Sequence, residues 1–383
     1  MKVAQITTSL TGGAGIAAVR LSEALNSQGV HSTLLSQRSH DGKTSVASKL
    51  LTAFQRSFIQ AGEDLITTIS KTEIPLNILD DYDILHFHAT YNLINTEVLI
   101  SLADQRKIVL TLHDQRAFTG GCHYSYSCTL FRQDCENCPQ VNKPFQPLVQ
   151  REKKNQNRLI NHKNVHLVSP SRWLADLAEE CVSEGNRVFI LNNPIPENDL
   201  PEYLDKSLMN AKSQEKFIMG FVSSNLGNPA KGLKDLVRAL ELLPPEIARK
   251  IHLLMIGDAQ IPPKIHGISS THIRSFSSPP EFNPYKNMDL LVVPSRQDNS
   301  PNVIGEALMS NTRVLGSSIG GIPELLYLFN CPVVDSTNPE SFVKTIENEV
   351  LKRGIHDYST KAREIFGYGP IAQKTVSFYQ SLI

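Results

Sequence analysis

The sequence predicts an α/β protein made of two doubly wound, Rossmann-like domains. Three observations carry that expectation. Short apolar runs alternate with helical patterns along nearly the whole chain, the signature of βαβ units and a mostly parallel sheet. At 383 residues the chain is longer than one hydrophobic core usually serves. From Glu197 to Ser213 the pattern lapses into a polar stretch, preceded by the turn-rich Asn192-Asn193-Pro194-Ile195-Pro196, and strands then begin again.

The first domain is expected over residues 1–197, with strands at Lys2–Thr8, Ser32–Ser36, Ile84–His88, Lys107–Leu112, His166–Ser169 and Val188–Leu191. Between the first two strands, Ile16, Val19, Leu21 and Leu25 approximate helical spacing, and Gly29 closes that helix. The second domain is expected over 214–370, with strands at Phe217–Val222, His252–Ile256, His272–Arg274, Leu290–Pro294, Arg313–Ser317 and Pro332–Val334. The last helix, Ile371–Ile383, is expected to cross back and cap the first domain. Ligands of doubly wound sheets bind beyond the carboxyl ends of the strands, so the loops there carry the functional argument.

Lysine plus arginine equals aspartate plus glutamate at 38 each, which excludes a global electrostatic footprint for nucleic acid. The opening MKVAQITTSL lacks the apolar core of a signal peptide, and no run reaches the ~18 residues of a membrane span. The chain is therefore expected in the cytoplasm, with its thiols reduced. Val46, Leu50, Phe54 and Phe58, with Lys49 and Arg56 nearby, fit either a core face or a face that docks peripherally on anionic lipid at the inner side of the plasma membrane. Arg151–Arg158 reads as a basic helix face.

The most informative segment runs from Val293 to Glu306. A strand ends at Pro294, and a loop carries Arg296, Asp298 and Asn299. Ser300 is expected to cap the next helix, with Pro301 at its first position. The amides of Asn302 and Val303 at that helix start suit a diphosphate. Glu306, about one turn further in, is placed to accept hydrogen bonds from a ribose, the alternative being a solvated glutamate on a surface helix. Lys231-Gly232 stands where the helix of Leu233, Leu236, Val237 and Leu240 begins, and a cation there is unfavourable unless an anion lies opposite. Gly320-Gly321-Ile322-Pro323-Glu324 permits close backbone approach to a ligand, or marks a simple tight turn.

In the first domain, Gly13 to Ala18 fits Gly-x-Gly-x-x-Ala, with Gly13 and Gly15 as its glycines. The second strand ends in Ser36-Gln37-Arg38 without an acidic partner for a ribose, which leaves only an NADP version of a dinucleotide reading. His86-Phe87-His88 and Thr111-Leu112-His113-Asp114 end two strands and gather imidazoles at their carboxyl ends. Cys122, Cys128, Cys135 and Cys138 form Cys-x5-Cys-x6-Cys-x2-Cys, whose four thiolates would close a structural zinc site. Disulfides, iron–sulfur ligation and free thiols stay open beside it. Cys181 and Cys331 sit in apolar surroundings and read as core.

The acidic residue, seven residues, then glutamate from Asp298 to Glu306, together with Lys231 and the Gly320-Gly321 loop, resembles the group 1 (GT4) glycosyltransferases of the GT-B fold. The stretch Thr111–His123 is similar to a bacterial subgroup, of the colanic-acid type, that makes exopolysaccharide and lipopolysaccharide sugars. The resemblance implies two domains facing a central cleft and a UDP- or GDP-sugar donor. It implies transfer, with retention, to a hydroxyl of a glycan or lipid-linked acceptor, without a catalytic magnesium. His113, Lys231 and Asp298 would be catalytic, with His113 on the donor sugar, Asp298 on its hydroxyls and Lys231 on the diphosphate. Gly13, Gly15, Arg296, Asn299, Ser300, Asn302, Val303, Glu306, Gly320 and Gly321 would line the donor, while His88 and Asp114 lie on the acceptor side, Asp114 orienting the imidazole. The chain departs from the family at Ser223, Ser224 and Asn225, where an arginine is usual, and Arg296 would supply that charge. Two other classes fit the same motifs: a nucleotide-sugar epimerase, which needs no acceptor, and a zinc-stabilised binding module that does no chemistry.

Overall fold

The computed structural model describes residues 1–36, 74–91, 93–183, 187–197, 200–203, 205–274, 282–352, 354 and 356–383. The chain divides into two compact units, Met1–Pro194 with Tyr368–Ile383, and Ile195–Gly367.

The first unit is built on β1 (Lys2–Thr7), β2 (His31–Ser36), β3 (Ile84–Ala89), β4 (Ile108–Thr111), β5 (Val165–Ser169) and β6 (Phe189–Ile190). These pair in parallel in the order β2-β1-β3-β4-β5-β6. Both faces are covered, which is why the strands read as nearly continuous apolar runs. Alternation sorts the side chains. Val3, Ile84, Val109 and Val168 join Leu21, Leu25, Ile371 and Tyr379 in one cluster, while Ala4, Ile6, Leu85, Phe87, Ile108 and Leu110 join Leu99, Val149 and Leu159 in the other. The C-terminal helix Tyr368–Gln380 thus belongs to the first core, and Tyr368 donates a hydrogen bond of 2.6 Å to Glu23 on the helix Gly12–Ser27.

The second unit repeats the logic with β7 (Phe217–Asn225), β8 (Ile251–Asp258), β9 (Ser269–Ile273), β10 (Leu290–Val293), β11 (Arg313–Ser317) and β12 (Val333–Val334). Its parallel order is β12-β11-β10-β7-β8-β9. In both units the winding reverses next to the first strand, between β1 and β3 and between β7 and β10. A doubly wound sheet opens a crevice at such a switch point, beyond the strand ends.

Several local expectations are corrected. The first helix starts at Gly12, not Ile16, so Gly13 and Gly15 occupy its first turn. The helix Gln146–Ile160 keeps Arg151, Lys154 and Arg158 at the surface but buries the middle of the expected basic face. There the Lys153 ammonium donates to the Phe118 carbonyl at 2.9 Å and to Asn157 at 2.8 Å. The segment of Val46, Leu50, Phe54 and Phe58, and the strand-end residues Gln37 and Arg38, lie outside the described residues. Among the described residues no helix is long and apolar enough to cross a membrane.

Candidate functional site

At the switch point of the second unit, the loops after β7 and β10 meet. Asn228 opens the first of them, its side chain accepting from the Ala230 amide at 3.0 Å, and the short turn Pro229–Lys231 ends at Gly232. Gly232 has φ +75°, and a Cβ there would stand 1.9 Å from the carbonyl oxygen of Pro294, so only glycine lets this loop lie on the end of β10. The Arg296 amide donates to the Ala230 carbonyl at 2.8 Å and ties the loops together. Lys231 Nζ thereby reaches Asp298 Oδ2 at 2.6 Å.

Asp298 is fixed from three sides. Ser295 Oγ donates to its Oδ2 at 3.2 Å, and the Asn299 amide to its Oδ1 at 3.1 Å. Its own carbonyl accepts from the Gly321 amide at 3.1 Å. Gly320, at φ +70°, would drive a Cβ to 2.0 Å from that carbonyl. The paired glycines therefore clasp the backbone of the residue that holds Lys231. The carboxylate is 9% exposed and the lysine 33%, so the ammonium remains reachable.

The helix Asn302–Met309 begins beside this loop with Pro301, rather than Ser300, at its N-cap. Ser300, Asn302 and Val303 are half-buried at its start, and Asn299 is buried. Glu306 accepts a hydrogen bond from the Tyr285 hydroxyl. Arg296 does not bring an uncommitted charge to Lys231: its guanidinium forks onto Asp235 at 2.8 and 2.9 Å. Asp235 and Tyr285 carry no motif of their own, and only folding reveals them as partners of Arg296 and Glu306.

The switch point of the first unit is lined by imidazoles instead. His86 and His88 on β3 are buried and stack at 4.4 Å, and His88 stacks on His113 at 5.3 Å. His88 Nδ1 lies 3.0 Å from His113 Nε2, and His88 Nε2 lies 2.7 Å from Gln5 Oε1 on β1. Burial lowers His86 to about 3 and His113 to about 4, the latter against the opposing pull of Asp114, and holds His88 well below the usual histidine range. All three rings are neutral at physiological pH. Asp114 accepts the Arg116 amide at 2.9 Å, ion-pairs with the Arg116 guanidinium and caps the turn Gln115–Phe118. Gly15 is buried and Gly13 exposed at the head of the first helix.

Cys122, Cys135 and Cys138 are buried with Phe118, Phe131 and Val141 in the first core, Cys128 is half-buried, and none of the four is in a disulfide. A hydrogen bond to Cys138, and burial, push the Cys122 thiol far up, and burial raises Cys135 to about 11. Among the described residues no three His, Cys, Asp or Glu side chains are arranged to hold a metal ion, so this arrangement lends the expected zinc site no support. Cys331 is buried as expected, whereas Cys181 is half-buried at the core edge.

Two doubly wound units, with a lysine and an acidic loop at the switch point of the second, have the architecture of the GT-B fold. Residues 216–350 match the family "Glycosyl transferases group 1", so the second unit carries the domain of that family. The colanic acid biosynthesis glycosyl transferase WcaC of Escherichia coli is 24% identical over 357 residues, 87% of this chain and 83% of its own length. Among solved structures, HepE of Anabaena in complex with UDP is similar over the whole of both chains at TM-score 0.60 and 14% identity. The sucrose-phosphate synthase of Thermosynechococcus elongatus is similar at TM-score 0.66 and 14% identity over 100% of this chain and 99% of that one. WaaG, a glycosyltransferase of lipopolysaccharide biosynthesis, is similar at TM-score 0.60 and 14% identity over 99% of each chain.

Proposed function

We propose that the protein transfers a sugar from a nucleotide diphosphate donor to a hydroxyl of a glycan or lipid-linked acceptor, with retention, in the making of a polysaccharide or lipopolysaccharide. The observation that carries this reading is the Lys231–Asp298 pair at the β7/β10 switch point, clasped by Gly320 and Gly321 and followed by Glu306 in the next helix. An ammonium has three donors and Lys231 gives one to Asp298, leaving two for oxygens of a departing diphosphate. Asp298 accepts from hydroxyls of the transferred sugar, and Glu306 from the ribose in place of Tyr285. In the first unit, His113 takes a sugar hydroxyl, and His88 and Asp114 lie on the acceptor side. The relatives named for colanic acid and lipopolysaccharide biosynthesis support the product class, and the UDP complex of HepE supports a nucleotide donor. The base of that nucleotide, UDP or GDP type, is a matter for the assay.

The test is turnover with paired donor and acceptor. Wild type is expected to release nucleotide diphosphate only when acceptor is present, and the product is expected to keep the donor's anomeric configuration. Asp298→Ala is expected to bind donor and fail in transfer. Donor conversion without an acceptor indicates an epimerase, and binding without any turnover indicates a module that does no chemistry; either result overturns the proposal.

A further inference from the structure

Six side chains of the first unit join into one hydrogen-bonded line. Thr111 Oγ1 on β4 lies 2.6 Å from His86 Nε2, and His86 Nδ1 lies 2.5 Å from the hydroxyl of Tyr379 on the C-terminal helix. That hydroxyl is 3.2 Å from Gln5 Nε2 on β1. Gln5 Oε1 then meets His88 Nε2 at 2.7 Å, and His88 Nδ1 meets His113 Nε2 at 3.0 Å. Gln5, His86 and Tyr379 are fully buried, and His88 and Thr111 nearly so, which leaves little water to substitute for a missing partner.

Such a line has few degrees of freedom. A neutral imidazole carries one N–H, a tyrosine hydroxyl one O–H, and an amide an NH2 at one end and a carbonyl at the other. Each contact needs one donor and one acceptor, and the amide sets the direction on the His88 side, while on the other side the hydroxyl spends its one proton on His86 once it accepts from the amide. In this structure the Gln5 nitrogen faces Tyr379 and its oxygen faces His88. His88 must then carry its proton on Nε2, its Nδ1 is an acceptor, and His113 must offer an N–H from Nε2. On the other side, Tyr379 accepts from Gln5 and donates to His86 Nδ1, and His86 donates from Nε2 to Thr111.

We propose that Gln5, held by Tyr379, is a positioning residue that sets the tautomer of His113 through His88, with the proton on Nε2 and the lone pair on Nδ1. Whatever meets His113 Nδ1 must then be a donor. If that group is the sugar hydroxyl of the function proposed above, on which this consequence rests, the hydroxyl oxygen keeps its lone pairs for other partners. A histidine that turned over to the other tautomer would present N–H to the same hydroxyl and reverse the bond.

The test is 15N NMR of the histidine rings at about pH 8, run on the whole chain. Wild type is expected to show His86, His88 and His113 all as Nε2–H. Gln5→Glu replaces the amide by an acceptor at both ends, and its effect is expected to be opposite on the two sides. His88 and His113 keep Nε2–H, while Tyr379 turns its proton to the new carboxylate and His86 changes to Nδ1–H. Tyr379→Phe, which leaves Gln5 without its anchor, is expected to give His113 a mixture of tautomers. Turnover of Tyr379→Phe is expected to fall about tenfold or more, as when the partner fixing a functional histidine is removed, with KM for donor little changed. Nδ1–H on His113 in wild type, or a His113 signal unchanged in Tyr379→Phe, overturns the proposal. Tautomers that respond as stated while turnover stays normal uphold the positioning and instead sink the assignment of a sugar hydroxyl to His113.

Discussion

The two switch points have the same topology and opposite chemistry. Between β7 and β10 the second unit assembles charges: Lys231 on Asp298, and Arg296 on Asp235 beside them. Between β1 and β3 the first unit assembles neutral rings, each lowered below the histidine range by burial. The difference follows from access. Lys231 is one-third exposed and paired with Asp298, whereas His86 is fully buried, which disfavours its charged form. A crevice of the first kind offers electrostatic stabilisation to an anion. One of the second kind offers directional hydrogen bonds and no net charge.

The largest effect that would sharpen this contrast is expected from Lys231→Ala. Loss of one preorganised donor to developing charge costs about 10²–10³-fold in kcat, with the fold intact because the side chain is one-third exposed. Near-normal kcat would move the charge stabilisation elsewhere. Gly320→Ala follows. Its Cβ would meet the Asp298 carbonyl at 2.0 Å from a backbone at φ +70°, so a strain on the order of 1–3 kcal/mol is expected in denaturant unfolding, with turnover lost alongside. An unchanged midpoint would show that the clasp is loose.

The first unit is probed by pH. An unfolded histidine takes up a proton near 6.5, but folded His113 does so only near 4 and His86 only near 3. Between those values the unfolded state binds more protons, so stability is expected to fall as pH drops from about 6.5 toward 4, by about 1.4 kcal/mol per pH unit for each such ring. It is expected to be flat with respect to these groups above 6.5. Thermal melts of wild type and His86→Asn across that range check it, and equal slopes in both would contradict neutral burial. The smallest effect is expected from Arg296→Ala. The Arg296 side chain is about half exposed in its fork with Asp235, so about 1 kcal/mol of stability is at stake, and kcat is expected to change far less than in Lys231→Ala.

Much of this contrast was legible in the sequence, and the illegible part has a common cause. The strands formed where apolar runs ended at glycine-bearing loops, with boundaries moved by up to three residues, as at β9, which starts at Ser269 rather than His272. The loops of Lys231, Asp298 and Gly320 were legible because each motif is local, within ten residues of a strand end. Pairings across long separations were not. His86 and Tyr379 are 293 residues apart, and Gln5 and Tyr379 are 374 apart, so no spacing rule links them. The same holds for Arg296 and Asp235, whose pairing removed a charge that the sequence had left to assign. In the cysteine loop, spacing suggested a metal, and the burial of three thiols beside Phe118 and Phe131 is a packing that no spacing shows.

The central claim is that the charged crevice of the second unit binds a nucleotide sugar, and calorimetric titration of UDP- and GDP-sugars into wild type and Glu306→Ala tests it most directly. The account predicts saturable binding of at least one donor to wild type and a weakening of about tenfold or more in Glu306→Ala, the loss expected when a ribose hydroxyl loses its charged partner. Binding of no nucleotide sugar to wild type, or equal affinity in the two proteins, would contradict it.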